Sequence, residues 1–495
     1  MRRSGVLLHP TSLPGFGPCG DLGDAAIRFL DWLVEAGCDL WQTLPLNPTG
    51  GSFSPYDSPS SFAGASHLIS IDRLMLEGLL TASEIVGRPP NTDQVNVDAL
   101  QSWHTPLVSR AAWRLAEEDP DAVDAFSAQH PWLDDWALFE ALRTDLSVQG
   151  WWDFPEPLQE RDADAMASAR ERLANPIRVQ QAIQLLFDRQ WSAIRAAAHE
   201  RGIQIIGDLP IFVHRAGCDT WSHRALFRWQ RDVWRPDPIA GAPPDTFTEL
   251  GQTWGNPHYN WPAHRAEDFA WWIRRFQSSI RRTDILRVDH FRGFAAAWEI
   301  PADAADARAG AWGPTPGNAL FAAVAGALDG LPIIAEDLGV ITPDVDALRR
   351  SLGVPGMKVL QFAFGSGPEH DFLPYNFDGD LWVAYSGTHD TDTAVGWYAT
   401  ASEEARHQYR VYAGSDGSEP GWDLIRLAWS STAKWAIAPM QDVLNLDGRA
   451  RMNTPGTIEG NWRWRTTTLP ILAARRLAQE GWVYGREAKR VKAEL

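Results

Sequence analysis

The stretch "TDILRVDHFRGF" (residues 283–294) begins like a buried strand and ends in charged residues. Its first half is aliphatic and partly β-branched, which strands favour. Arg287, Asp289 and His290 then interrupt the apolar run just before a glycine turn. Charged side chains are rarely fully buried unless they are paired or functional. The stretch therefore predicts a core strand whose C-terminal end carries a functional site.

Seven further stretches share this design, with an apolar run that finishes in polar residues and a turn. In chain order the eight are "GVLLHPTS" (5–12), "CDLWQTLPL" (38–46), "GIQIIGDLP" (202–210), "DILRVDHF" (284–291), "LPIIAEDLG" (331–339), "MKVLQFAF" (357–364), "LWVAYSGTHD" (381–390) and "WAIAPMQD" (435–442). Runs of this length bounded by turn residues predict strands.

Helical patterns separate several of the predicted strands. Before the third strand, apolar residues recur at helical spacing: Ile183, Leu186, Phe187, Trp191 and Ile194. Eight strands alternating with helices predict a mixed α/β fold, a (β/α)8 TIM barrel with its site at the strands' C-terminal ends. The alternative is a doubly wound open sheet, which is disfavoured because no glycine-rich dinucleotide turn follows the first strand.

The spacing of the strands is uneven. Roughly 155 residues separate the second and third runs, and more than 70 separate the third and fourth, whereas a compact βα unit needs about 30. We therefore expect a single catalytic barrel over residues 1–495 with helical and loop-rich subdomains inserted at its C-terminal face. The predicted insertions are about 65–180, after strand two, and about 214–275, after strand three.

Composition limits the classes of partner and the compartment. The net charge is −18, which argues against nucleic-acid and anionic-membrane partners because both require a basic surface. The N-terminal apolar run is too short for a signal peptide, and only three cysteines occur, so a cytoplasmic location is expected. The 26 tryptophans are several times what an average chain of this length carries. Most are expected to pack in the core, and the others suggest surfaces that stack on flat, apolar faces such as sugar rings.

Four carboxylates end predicted strands: Asp208, Asp289, Glu336 and Asp390. Arg287 shares a strand face with Asp289 and is expected to lower the pKa of that carboxylate, whereas the apolar run before Glu336 is expected to raise its pKa. One ionised and one protonated carboxyl group across a pocket is the arrangement that glycoside cleavage uses, and a short separation implies the retaining route.

Three other functions remain open at this point. A metal-dependent amidohydrolase-like barrel could use His9, His389 and Asp390 as ligands, but the His-x-His pair expected on its first strand is missing. A non-catalytic glucan-binding barrel would not need an acid/base pair. An amylase-type hydrolase would use the same carboxylates and differ only in letting water resolve the intermediate.

Ten segments in register resemble the amylomaltases, the 4-α-glucanotransferases of glycoside hydrolase family 77. They are "LLHPTSLPG", "GDLG" (20–23), "SPYDSPSSFAG" (54–64), "GDLPIFV" (207–213), "PPDTFTELGQTWGNPHYNW" (243–261), "LRVDHFRGF" (286–294), "IIAEDLG" (333–339), "SGTHDTDT" (386–393), "RMNTPGT" (451–457) and "GNWRWR" (460–465). The resemblance covers most of the chain and implies transfer of α-1,4-glucan segments between maltooligosaccharides or starch-like chains.

The resemblance also implies residue roles. Asp289 corresponds to the nucleophile, Glu336 to the general acid and base, and Asp390 to the carboxylate that grips the hydroxyls of the reacting glucose. The remaining implied contacts to sugar are Tyr56, Asp208, Asp245, Phe247, Trp254, Arg287, His389 and Asn453. Neither a metal nor an organic cofactor is implied, and the expected partners are α-1,4-glucans as donor and acceptor.

The chain departs from the family pattern at a few positions. Thr391 replaces an asparagine, Ala65-Ser66 replace an Asn-Pro pair, and Ala295 and Ala297 replace an acidic and an aromatic residue. All catalytic carboxylates are retained. These departures concern subsites and chain-length preference, and the reaction expected from the family is unchanged.

Overall fold

The computed structural model describes residues 2–230, 234–244 and 248–488. Eight parallel strands form one sheet in the order β5-β4-β3-β2-β1-β8-β7-β6. The strands are β1 (Arg3–Leu7), β2 (Leu40–Gln42), β3 (Gln204–Leu209), β4 (Ile285–Val288), β5 (Ile333–Ala335), β6 (Gly356–Val359), β7 (Trp382–Tyr385) and β8 (Trp435–Pro439). Each overlaps one of the eight predicted runs, so the (β/α)8 barrel is confirmed.

The barrel closes between β5 and β6, where there is no regular ladder. The Ala335 N–H donates to the Pro355 carbonyl over 2.8 Å. The Met357 N–H donates over 2.7 Å to the carboxylate of Asp337, which also lies 3.2 Å from Arg349. A side chain therefore replaces part of the strand pairing at this seam, directly beside the end of β5.

The inside of the barrel is a layer of buried apolar side chains from all eight strands. They are Leu7, Leu40, Ile206, Ile285, Ile334, Met357, Val359, Val383, Tyr385, Trp435 and Ile437. A parallel sheet covered on both faces favours such residues. At about 25 cal/mol per Å² of apolar surface removed from water, this layer is a major source of stability.

Helices cover the outside of the barrel. They are Asp24–Glu35, Ala174–Glu200, Ala270–Arg282, Gly317–Leu328, Pro343–Leu352, Pro420–Ser430 and Ile471–Val483. The predicted helix before β3 is confirmed, and its five apolar residues are buried. Residues 360–381, all described, contain only the short 3-10 turns Leu360–Ala363 and Pro374–Asn376, so no α-helix joins β6 to β7.

Long connections leave the C-terminal ends of β2, β3 and β4. The first carries helices Ile71–Leu76, Thr105–Glu118, Pro120–Gln129, Trp132–Leu146 and Ala163–Arg172. The other two together build a four-stranded antiparallel sheet in the order Ala311–Pro314, Ala296–Ile300, Ile239–Ala242, Gln252–Pro257. In the described part of the chain, no helix combines the length and apolar character needed to cross a membrane.

The biased composition of the segment "AADARAGAWGPTPG" (304–317) predicts a loop, and this prediction is wrong in part. Ala311–Pro314 is a strand that pairs with Ala296–Ile300. The sequence is rich in alanine, glycine and proline, so it shows no strand periodicity. Backbone pairing to a neighbouring strand decides its conformation instead.

Candidate active site

Arg287 is the centre of the site. It is the third residue of β4 and only 3% of its side chain is exposed. Its Nη1 lies 2.7 Å from Oδ2 of Asp208, at the end of β3, and 3.0 Å from Oδ1 of Asp289, just beyond β4. The predicted shared face of Arg287 and Asp289 is confirmed. A buried guanidinium needs such partners because desolvating an unpaired charge is costly.

Asp289 differs in electrostatics from the sequence-based expectation. Burial raises the pKa of its carboxyl group to about 6, and Arg287 offsets only part of that increase. The expectation that Arg287 would hold this pKa below its usual range was therefore wrong, because desolvation outweighs the nearby positive charge. Asp289 still ionises below neutral pH, and 24% of its side chain is exposed at the mouth of the barrel.

Glu336 follows β5 and faces the same guanidinium, with Oε2 4.0 Å from Arg287 Nη2. Its two oxygens accept hydrogen bonds from the His290 N–H (2.6 Å) and the Leu338 N–H (3.1 Å). Burial and, to a smaller extent, the charge of Asp289 nevertheless raise the pKa of Glu336 to about 8. The expected elevated pKa is confirmed, and Glu336 is mostly protonated at neutral pH.

His290 adopts a left-handed backbone conformation, with φ of 46°. This conformation is uncommon for residues other than glycine and typically costs about 1–3 kcal/mol. It directs the backbone N–H of His290 at Glu336. The side chain packs edge-on against Trp254, with ring centroids 4.9 Å apart.

Asp390 lies on the opposite wall, beyond β7. Although burial alone would raise its pKa, the charge of His389 and hydrogen bonds from His389 and Asn453 hold the pKa of Asp390 well below its usual range. Nε2 of His389 lies 3.1 Å away and Nδ2 of Asn453 donates over 2.7 Å. Asp390 is therefore anionic, with 42% of its side chain open to the cleft.

Aromatic rings line the floor beside these carboxylates. Tyr56 stacks on His389 with ring centroids 5.2 Å apart and an interplanar angle of 11°. Its hydroxyl donates to Oδ2 of Asp208 over 2.7 Å. Trp462 lies 5.7 Å from Tyr56 and 5.9 Å from His389, measured between ring centroids. Trp462 also lines a small neighbouring cavity, together with His9, Phe53 and Met452.

The structure thus brings together nine of the predicted site residues, whereas Asp245 and Phe247 lie outside the described residues. Those nine are Tyr56, Asp208, Trp254, Arg287, Asp289, Glu336, His389, Asp390 and Asn453, all linked by the contacts above.

Three further groups take part in the site that the sequence patterns did not single out. Trp462 sits in the quoted segment "GNWRWR" but was not singled out, and Arg451 in "RMNTPGT" donates to the Asp390 backbone carbonyl over 2.9 Å. The backbone N–H of His290 gave no sequence signal, since any residue has one.

The departures from the family pattern have visible structural roles. Thr391 is buried, and its hydroxyl accepts from the Thr388 N–H over 3.0 Å, which closes the turn that precedes it. Ala297 is 3% exposed and pairs with Gly313 in the four-stranded sheet. A Cβ at position 313 would clash with Oε1 of Glu299, so the glycine leaves room for that neighbouring carboxylate.

The residues considered as ligands in the metal-dependent alternative do not form a metal site in the described part of the chain. Within residues 2–230, 234–244 and 248–488, no group of three or more His, Cys, Asp or Glu side chains is arranged to hold a metal ion. His9 is buried, and burial lowers its pKa to about 3. His389 instead contacts the carboxylate of Asp390.

A closed barrel with two carboxyl groups on one arginine and an aromatic floor defines a carbohydrate-active (β/α)8 enzyme. Residues 8–470 match the model of glycoside hydrolase family 77, described as 4-alpha-glucanotransferase. The chain is 43% identical over 478 residues to the 4-alpha-glucanotransferase of Thermus thermophilus, covering 94% of each chain. It is 43% identical over 472 residues to that of a Synechocystis strain, again covering 94% of each.

Comparison with solved structures gives the same result. The amylomaltase of Streptococcus agalactiae in complex with acarbose superposes with a TM-score of 0.95 at 35% identity, covering 98% of this chain and 100% of that one. The chain belongs to the 4-alpha-glucanotransferases of glycoside hydrolase family 77. It is a glycosyl-transferring enzyme, and the amidohydrolase-like and non-catalytic alternatives are set aside.

Proposed function

We propose that the enzyme transfers α-1,4-glucan segments by a retaining, two-step reaction through a covalent glycosyl-Asp289 intermediate. The main observation in support is that the carboxyl groups of Asp289 and Glu336 both lie beside Arg287, with pKa values of about 6 and about 8. At neutral pH one is an anion able to attack carbon and the other an acid able to donate a proton.

In the first step, Glu336 donates its proton to the glycosidic oxygen as the bond from that oxygen to the anomeric carbon breaks. A carboxylate oxygen of Asp289 forms a bond to the same carbon, and the leaving sugar departs with the proton. In the second step, Glu336 takes a proton from an acceptor 4-hydroxyl, whose oxygen attacks the anomeric carbon and displaces Asp289. The stereochemistry is retained because the centre is inverted twice.

The surrounding residues would bind the reacting glucose. Asp390 is a fixed anion that can accept hydrogen bonds from sugar hydroxyls, and Asn453 and His389 hold its orientation. Tyr56 offers a ring face for stacking. Asp208 and Arg287 line the same pocket, and Trp254 packs on His290, whose N–H donates to Glu336. Asp245 and Phe247 remain predicted contacts to the substrate.

We also propose α-1,4-glucans and maltooligosaccharides as both donor and acceptor. The resemblance to an amylomaltase that binds acarbose, together with the aromatic floor, supports this. The assignment of residues 1–495 to one catalytic barrel, with insertions at about 65–180 and 214–275, is retained as a proposal. The cytoplasmic location remains a prediction.

Incubation with maltotriose tests transfer against amylase-type hydrolysis. Transfer gives glucose together with a series of longer oligomers, whereas hydrolysis gives only shorter products and a steady increase in reducing ends. The covalent step is tested with an activated glycosyl fluoride donor and the Glu336→Gln variant. Mass spectrometry of the quenched protein should locate a glycosyl adduct on the peptide that contains Asp289, and an adduct on another residue would reject the assignment.

A further inference from the structure

Four of the 26 tryptophans are exposed by a third or more: Trp113, Trp254, Trp312 and Trp482. Trp254 belongs to the site described above. Trp312 lies on the opposite outer strand of the same four-stranded sheet, Ala311–Pro314. A single exposed ring is ordinary on a protein surface, but Trp312 is 36% exposed close to Val340 and Ile341, which are also exposed, and an apolar patch beside an active site indicates a binding surface.

Trp312 is held rigidly. The guanidinium of Arg292 lies over its ring, 3.4 Å from the centroid, and Trp298 packs against it at 4.9 Å with an interplanar angle of 67°. Arg292 is itself only 4% exposed. Since one ring face is covered by a cation and one edge by a second indole, the exposed part of Trp312 is the remaining face and its outer edge.

The same arginine connects this ring to the reaction centre. Arg292 donates to the Val340 carbonyl over 2.5 Å and to the Thr342 hydroxyl over 3.1 Å. Residues 336–342 form the loop that leaves β5 at Glu336, and the Leu338 N–H in that loop donates to Glu336. Trp312 is therefore connected to Glu336 through its ring contact with Arg292 and through the loop to which Arg292 is hydrogen-bonded.

Apolar side chains of this loop extend the exposed surface. Val340 is 44% exposed and Ile341 is 37% exposed. Trp312 pairs in register with Trp298 at one edge of the sheet, whereas Trp254 lies on the strand at the opposite edge. The surface of Trp312, Val340 and Ile341 is thus separate from the contact between Trp254 and His290.

We propose that Trp312 is a stacking platform for glucose units of an α-1,4-glucan that lie several residues away from the reacting bond. Pyranose rings present flat C–H faces that suit an open indole face, and a pre-positioned ring loses little conformational entropy on binding. This inference rests on the proposed function and extends it. Only a glucan long enough to fill the subsites around the reacting bond and to continue beyond them could contact Trp312.

The test uses the Trp312→Ala and Trp312→Phe variants, with Trp482→Ala as a matched control, since Trp482 is 72% exposed on the C-terminal helix. In an Asp289→Asn background, calorimetry would give the affinity for maltoheptaose and for maltotriose. We expect Trp312→Ala to reduce the preference for the longer sugar about tenfold, as loss of one ring contact implies. Trp312→Phe should keep most of it, and Trp482→Ala should change nothing.

Three outcomes would overturn the platform: an unchanged chain-length preference in Trp312→Ala, an equal loss in Trp482→Ala, or an equal loss of affinity for both sugars. The last outcome would mean that Trp312 only supports Arg292 and the loop at Glu336. The same conclusion would follow if Trp312→Ala, made without the Asp289→Asn change, lowered turnover of maltotriose as much as turnover of maltoheptaose. Failure of wild-type enzyme to lengthen maltotriose would instead reject the proposed transfer reaction, so the two failures are distinguishable.

Discussion

The backbone N–H of His290 donates a 2.6 Å hydrogen bond to Oε2 of Glu336 from a left-handed conformation. The residue directly after the proposed nucleophile therefore positions the proposed acid. This bond favours the ionised form of Glu336, so it limits how far burial raises the pKa of that group. The two carboxyl groups are thus coupled through one turn of backbone as well as through Arg287.

Substitution at His290 tests this coupling. His290→Gly accommodates the positive φ and should keep the alkaline limb of the pH–rate profile in place. His290→Val places a β-branched residue where it is disfavoured, which should weaken the N–H contact and move the alkaline limb upward. Because both variants lose the ring contact with Trp254, any difference between them reports the effect of the backbone conformation at position 290. Equal limbs in the two variants would contradict the proposed role of the N–H group.

The pH dependence of kcat/KM should be bell-shaped. Activity requires ionised Asp289 and protonated Glu336, whose pKa values are about 6 and about 8. The rate should fall as the pH decreases through about 6, since Asp289 takes up a proton, and fall as the pH increases through about 8, since Glu336 loses one. Because the groups interact, the two limbs report the pair. An acid limb near the ordinary pKa of aspartate would contradict the raised pKa of Asp289.

Removing either proposed reacting group should stop catalysis while preserving the fold. Glu336→Gln should lower turnover by about 10²- to 10⁴-fold, the usual contribution of general acid–base catalysis, and Asp289→Asn by at least as much. Circular dichroism should be unchanged, because both side chains remain nearly isosteric. Glu117→Gln, at an exposed position of helix Thr105–Glu118, provides the matched control. Near-normal activity of Asp289→Asn would refute the covalent route.

Stability should also respond to Glu336. Folding raises the pKa of this group from the ordinary 4.5 to about 8. The folded protein holds the proton more tightly, so this contribution to stability is full below about pH 4.5 and is lost as the pH rises through about 8. Glutamine does not titrate. The Tm of Glu336→Gln relative to wild type should therefore increase between pH 5 and pH 8, and a pH-independent difference would contradict the raised pKa.

Sequence patterns were sufficient for the barrel and most of its site, because both follow from strong local signals. Each strand combines an aliphatic run with a turn, and parallel strands place their C-terminal residues at one rim, so Asp208, Asp289, Glu336 and Asp390 had to converge. The elevated pKa of Glu336 followed from the same apolar run. Trp254 and Asn453 required the family resemblance, since their segments carry no periodicity.

The rest depends on tertiary context. The pKa of Asp289 reflects a balance between burial and Arg287, and the sequence shows the arginine but not the extent of burial. The left-handed backbone of His290 and the ring position of Trp462 arise from packing between distant segments. The strand Ala311–Pro314, which presents Trp312, forms only because a neighbouring strand offers a free edge.

The seam between β5 and β6 has a consequence for how the enzyme fails on heating. There the carboxylate of Asp337, the residue after Glu336, accepts a hydrogen bond from the Met357 N–H in place of a backbone carbonyl. Gly356 has no side chain, which leaves room for that carboxylate. Side-chain links open more readily than a continuous ladder. Thermal inactivation should therefore begin with local separation of β5 from β6 next to Glu336, ahead of global unfolding. Amide exchange at Met357 would report it.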